Sequence, residues 1–233
     1  MLDWKDTTER YIAFLDIMGF TNYVYRNSHN VVKKRMLLIQ AVIDKTEAEI
    51  HSSSKEFDGI ENILKTVIFS DSILIISKDG TKASLDYLLF ACQLLLSESF
   101  KKEIPMKGAI SYGNITADFD KSLFFGKALI DAYSLQEQLF IYGVALDEKA
   151  EKKVSSIKDY MKAYCIRTKV ATKSGAITHL IVNWAKWADK MKNDNDSNSK
   201  VGISIMERFY NDMSGHPRKY IDNTIECFPK AST

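Results

Sequence analysis

Two aspartates, each at the end of a short apolar run, are the residues of this chain best suited to metal chemistry. Asp16 lies in YIAFLDIMGFT and Asp71 in TVIFSDSILII. β-Branched and aromatic residues dominate both runs over the length of an ordinary strand, so each reads as a buried strand carrying a carboxylate at its tip. A carboxylate there is costly unless water, a partner or a cation meets it. Two of them on neighbouring elements are equipment for holding Mg²⁺ or Mn²⁺ against a triphosphate. The alternative is local: Asp16 caps a turn and Asp71 opens a hairpin. The residues around both decide between the two.

The elements that must position them follow from the hydrophobic period. Residues 11–17 read as a strand and 31–50 as an amphipathic helix. Residues 63–69 and 72–77 read as two strands joined at Ser70-Asp71, too close for anything but a tight hairpin. A second helix spans 84–102, with Leu85, Leu88, Leu89, Cys92, Leu95, Leu96 and Phe100 at helical spacing, and Pro105 stops it. Residues 106–112 form a strand, Gly113-Asn114 signals a turn, and 115–119 is extended. Strand–helix–strand–strand–helix–strand is the order of a ferredoxin-like sheet with helices on one face. The fold class is therefore α/β (α+β), with a βαββαβ core. In such a sheet the first strand and the first hairpin end side by side, so Asp16 and Asp71 meet.

Beyond the core, 126–139 reads as a buried helix and 160–166 with 176–184 as a late hairpin. The polar stretch DKMKNDNDSNSK follows, then a helix near 203–213 and an amphipathic end. Residues 1–185 read as one catalytic domain and 186–200 as a flexible loop. Residues 201–233 read as a helical extension on the same domain, because the last fifty residues carry too little apolar content for a core of their own.

Composition narrows the classes. The chain has 233 residues, 45% hydrophobic and 27% charged, with a formal net charge of +2. That balance gives no strong field for nucleic acid or membrane surfaces. No apolar run approaches the roughly 20 residues of a membrane span, and MLDWKDTTER is unlike a signal peptide. Cys92, Cys165 and Cys227 have no metal-site spacing and read as buried free thiols in a reducing cytosol. His29, His51, His179 and His216 form no cluster and read as structural or solvated.

The flanking residues add chemistry. Gly19 lets backbone N–H groups approach phosphate oxygens, and the Ile17 carbonyl at the strand end could complete a metal's oxygen shell. The string Asp16-Ile17-Met18-Gly19-Phe20-Thr21 resembles the Asp-Ile-x-Gly-Phe-Thr signature of class III adenylate and guanylate cyclases. Ser70-Asp71 stands where that family has Gly-Asp. The run from Lys107 to Gly113 resembles its Arg-x-Gly-x-x-x-Gly strand. Phe125-Gly126, followed by Ala132, resembles its Trp-Gly helix entry.

The departures are equally informative. Val67 and Leu123 stand at the two positions that read a purine in the family, and neither side chain can hydrogen-bond a base edge. Ile130 and Ser134 replace the transition-state Asn and Arg. Metal carboxylates without purine readers resemble the bacterial pyrimidine cyclases of the Pycsar antiphage system.

That resemblance implies conversion of UTP, or CTP, to a 3′,5′-cyclic monophosphate and pyrophosphate, the messenger being read by a separate effector protein in the cytoplasm. It implies two divalent ions (Mn²⁺ or Mg²⁺) on Asp16, Asp71 and the Ile17 carbonyl. It also implies phosphate contacts from Met18, Gly19, Phe20 and Thr21. Lys107 and Lys127 are the candidates for the missing Arg, Lys107 as a catalytic residue and Lys127 as a substrate-binding one. Sites at the interface of a head-to-tail homodimer are implied as well. The rivals are an inactive cyclase-fold regulator, a purine cyclase, and an RNA-binding sheet. The last is disfavoured because the central strands show no aromatics beside basic residues.

Overall fold

β1 (Thr7–Ile17) is the axis on which the rest is built: its odd-numbered residues Tyr11, Ala13, Leu15 and Ile17 enter one apolar core, while Ile12 enters another on the opposite face. The computed structural model describes residues 4–55, 63–157, 163–190, 202–206, 209 and 215–228. After β1 come α1 (Phe20–Arg26), α2 (His29–Lys55), the hairpin β2 (Leu64–Phe69) and β3 (Ser72–Ser77), α3 (Lys82–Lys101) and β4 (Met106–Asp118). β5 (Leu123–Phe125), α4 (Lys127–Gln138), β6 (Gly143–Leu146) and α5 (Glu148–Ser155) follow. The hairpin β7 (Cys165–Thr172) and β8 (Gly175–Val182), α6 (Trp184–Lys190), a 3₁₀ turn at Gly202–Ile205 and α7 (His216–Glu226) complete the described elements.

The sheet has eight strands, in the order β2-β3-β1-β4-β6-β8-β7 with β5 paired to β4. β2, β3, β1 and β4 are antiparallel neighbours, the ferredoxin-like core expected from the pattern. α3 shows why its segment is helical. Thr81 caps it by accepting from the Ser84 N–H, and Leu85, Leu88, Leu89, Cys92, Leu95, Leu96 and Phe100 are all buried against the sheet. Each such leucine contributes roughly 1.5–3 kcal/mol of burial. The helix ends at Lys102, and the left-handed Glu103 (φ 56°) turns the chain toward Pro105.

Three expectations are corrected. Gly113-Asn114 is not a turn: β1 starts as early as Thr7, so the β1–β4 ladder runs unbroken from Ile17↔Met106 to Thr7↔Thr116. The chain reverses between Asp118 and Leu123 instead. The two helices of the ferredoxin-like core share one face, as expected, and the later helix α4 takes the other. α2 and α3 cover the face of Tyr11 and Leu15, whereas Ala128 and Ala132 of α4 pack with Ile12 and Ile76 on the other. The late hairpin is shifted from the apolar runs: its first strand begins and ends later than 160–166, its second ends at Val182 rather than 184, and Lys173-Ser174 form its tip. Helix α6 continues through Lys190, so the polar stretch starts as helix, and its residues from 191 to 200 lie outside the described residues. Of the helix expected over 203–213, the described part is the 3₁₀ turn plus residues 206 and 209; the rest lies outside. β6 and α5 had no sequence expectation.

Tyr220, Ile221, Cys227 and Phe228, from α7 and the residues just after it, belong to the main core. Among the described residues, no helix is long and apolar enough to cross a membrane. The three cysteines are buried and free.

Candidate active site

The ends of β1, β3 and β4 form one row. Asp16 lies directly opposite Ser72 on one side and Lys107 on the other, so the three side chains share a face of the sheet, the one on which α4 packs. Phe69 extends that row through its pairing with Ser72. Asp71 forms the hairpin tip beside it. The Ile17 N–H donates to the Asp71 carbonyl at 2.9 Å, which pins the hairpin to the end of β1. The Met18 N–H donates to Pro105 at 2.9 Å, closing the other side. Ser70 sits at φ 57°, a left-handed turn position that glycine occupies without strain.

The electrostatics follow from that packing. Burial, with a further push from Asp71 and Glu137, raises the Asp16 carboxyl to about 6, and Lys107 partly offsets the rise. Lys107 is only 4% exposed, and burial draws its ammonium below the ordinary lysine value despite Glu137 and Asp16 nearby. The Asp16 and Asp71 carboxylates make no hydrogen bond or ion pair among the described residues. Two adjacent, unpartnered carboxylates, one of them reluctant to ionise, are a donor set short of positive charge. A divalent ion fits that deficit. Among the described residues, no three His, Cys, Asp or Glu side chains gather into a metal cluster, so further ligands would be backbone or substrate oxygens.

After Ile17, Gly19 adopts φ 76° and ψ 8° and opens α1, with open space where a Cβ would stand. No side chain caps α1 and no acidic residue occupies its first turn, so the amides at its start are not claimed by a side chain. Met18 and Phe20 pack partly into the core, while Thr21 is exposed.

The chain brings Asp16, Ile17, Met18, Gly19, Phe20, Thr21, Asp71 and Lys107 to one end of the sheet. It does not bring Lys127 there. Lys127 lines a hollow with Gly113 and Asn114, which pair with Arg10 and Glu9, six to seven residues along β1 from Asp16 and so about 20 Å away. Val67 lies on β2 opposite Leu74, and Leu123 is 47% exposed on β5.

Three residues near the site had no sequence signal. Glu137, at the end of α4, pairs with Lys173 at the β7–β8 tip at 3.4 Å and acts electrostatically on both Lys107 and Asp16. Burial raises the Tyr220 phenol on α7, and Glu137 and Asp16 add to the rise. All three arrive from distant segments by tertiary packing alone.

No family model and no curated protein sequence matches the chain. Among solved structures it is similar to a bacterial light-regulated adenylyl cyclase, with 18% identity over 78% of this chain and 93% of that one, at a TM-score of 0.49. Adenylate cyclases from Trypanosoma brucei in their monomeric state give 12% identity over 78% and 93%, at 0.48. A class III adenylyl cyclase-like ATP-binding protein from Pseudomonas aeruginosa gives 15% over 63% and 34%, at 0.42. These overlaps are partial, and the chemistry open to the chain is read from its own residues.

Proposed function

We propose that this chain is a metal-dependent nucleotide cyclase acting on a pyrimidine nucleoside triphosphate. The observation that carries the reading is the pair of unpartnered carboxylates, Asp16 and Asp71, held by the β1 end and the β2–β3 tip beside buried Lys107. Divalent ions on Asp16, Asp71 and the Ile17 carbonyl would supply Lewis acidity to the triphosphate and lower the pKa of the ribose 3′-hydroxyl. The amides from Met18 to Thr21 would orient the β- and γ-phosphates. In the reaction the 3′-hydroxyl loses its proton to water, its oxygen bonds to the α-phosphorus, the bond from that phosphorus to the bridging oxygen breaks, and pyrophosphate leaves. Lys107 would supply fixed positive charge next to that centre, the role for which Ser134 is unsuited.

Val67 and Leu123 support the pyrimidine part of the reading, since neither offers a purine a directional contact. A head-to-tail homodimer accounts for Lys127: a second chain, rather than the same one, would deliver it to Asp16. Phe69 (80% exposed), Ile130 (64%) and the half-exposed Tyr133 leave apolar surface on this side for such a partner. The product would be a messenger for a separate effector in antiphage defence.

Calorimetric titration of each nucleoside triphosphate in the presence of Mn²⁺ tests the reading. UTP or CTP is expected to bind more tightly than ATP and GTP, and Asp71→Ala should abolish that preference. Tighter ATP or GTP binding would instead favour a purine cyclase, and no binding at all would favour an inactive scaffold.

A further inference from the structure

A concentration of positive charge lies away from Asp16, where α4 and α5 approach the far half of β4. Lys127, Lys149, Lys152 and Lys153 line one hollow of about 370 Å³ with the Tyr112 ring, and among the described residues Glu9 is the only carboxylate in its wall. Helical spacing explains the gathering, because positions three and four apart on α5 share a side. Gly113 forms part of the floor. A Cβ there would stand 3.8 Å from the Lys149 ammonium, so the missing side chain leaves room for the charge to lie against the strand.

The lysines are only lightly committed elsewhere. Lys149 meets Asp131 at 3.3 Å and Lys152 meets Glu148 at 2.7 Å, both pairs open to solvent and so easily exchanged for a stronger anion. Lys153 lies over Tyr112, 4.4 Å from the ring centroid. Like charges lining one hollow repel one another, and a compact polyanion relieves that repulsion. The feature is a bounded hollow on a chain of net charge +2, not a basic stripe, so it suits a small oligophosphate better than a nucleic-acid backbone.

We propose that the hollow formed by Lys127, Lys149, Lys152 and Lys153 binds an oligophosphate group, either free or as the tail of a nucleotide. The inference stands apart from the cyclase reading. Only Lys127 is common to both, and the hollow lies about 20 Å along the sheet from the Asp16 of its own chain.

Calorimetry in EDTA, which silences any metal site, tests it with inorganic tripolyphosphate as the probe. The wild-type chain should bind, and the affinity should fall steeply as salt is raised. Lys152→Glu with Lys153→Glu should weaken binding at least tenfold at unchanged melting temperature, and Lys152→Ala with Lys153→Ala should do so less severely. Asp16→Asn with Asp71→Asn should bind as the wild type does. UTP binding equal to tripolyphosphate would assign recognition to phosphate alone, while tighter UTP would make a nucleotide tail the ligand. No binding at millimolar tripolyphosphate, binding indifferent to both lysine pairs, or binding lost in the aspartate variant would overturn the proposal.

Discussion

Replacing Asp16 by Asn should make the metal-free protein more stable while destroying its response to Mn²⁺. Burial and the neighbouring carboxylates move the Asp16 carboxyl from 3.8 to about 6 in the folded chain. Each unit is worth about 1.4 kcal/mol, so ionised Asp16 costs the folded state at most about 3 kcal/mol, and partial solvent access reduces this to roughly 1–2 kcal/mol. The sign follows from linkage. An acid whose folded pKa lies above its unfolded one binds its proton more tightly when folded, so the cost is fully present above about 6 and fades as pH falls toward 3.8. Asn is nearly isosteric and carries no charge, which removes the cost. For a chain of this size the gain should raise the melting temperature by about 2–8 °C in EDTA at pH 7.5. At pH 4.5 the difference should shrink to about a third. Adding Mn²⁺ at pH 7.5 should reverse the order, stabilising the wild type and leaving Asp16→Asn unmoved. Thermal unfolding across pH, with and without Mn²⁺, reads all of this. An Asp16→Asn protein that is less stable in EDTA at pH 7.5, or that gains as much from Mn²⁺ as the wild type, would refute the reasoning.

Other consequences can be checked alongside it. Lys107→Met should lower turnover by about 10²–10³ while leaving Mn²⁺ affinity within a few-fold, since it removes fixed charge rather than a ligand; steady-state kinetics with a Mn²⁺ titration separates the two. Gly126→Ala should cost about 2–4 kcal/mol in chemical denaturation, because its Cβ would stand 2.6 Å from the Asn114 carbonyl oxygen and 2.7 Å from Ile115 Cα at φ 150°. Mixing Asp16→Ala protein with Lys127→Ala protein should restore part of the activity that each lacks, and no rescue would count against a site shared between chains. Mn²⁺ affinity should fall about tenfold per pH unit below about 6, as protons compete with metal for Asp16, so activity at subsaturating Mn²⁺ should fall with it; Mn²⁺ affinity unchanged down to pH 5 would contradict the ligand assignment.

What was legible in the sequence was local. The β-branched runs before Asp16 and around Asp71 marked β1 and the hairpin, and the leucine spacing of α3 marked a helix packed on the sheet. With those elements in place, the meeting of the two aspartates followed from topology. The glycines misled once. Gly113 looked like a turn because a lone strand gives no hint that its neighbour, β1, continues to Thr7 and carries the ladder past it. Its small size serves α4 and Lys149 instead. Glu137, Lys173 and Tyr220 were illegible because each is an ordinary surface-type residue in its own segment. Only the packing of α4, the β7–β8 tip and α7 around Lys107 and Asp16 gives them electrostatic weight. The side of the sheet taken by α4 was equally hidden, since its period says which of its residues are buried and not against which face.

The most direct test is chemical. Purified protein incubated with ATP, GTP, CTP and UTP together, with Mn²⁺, should yield a cyclic pyrimidine monophosphate as the main product by mass, with UTP favoured over CTP. Asp16→Ala and Asp71→Ala should each abolish it, and the double variant should be no worse than either. A cyclic purine nucleotide as the main product, no cyclic product from any triphosphate, or normal turnover in either aspartate variant would contradict the account.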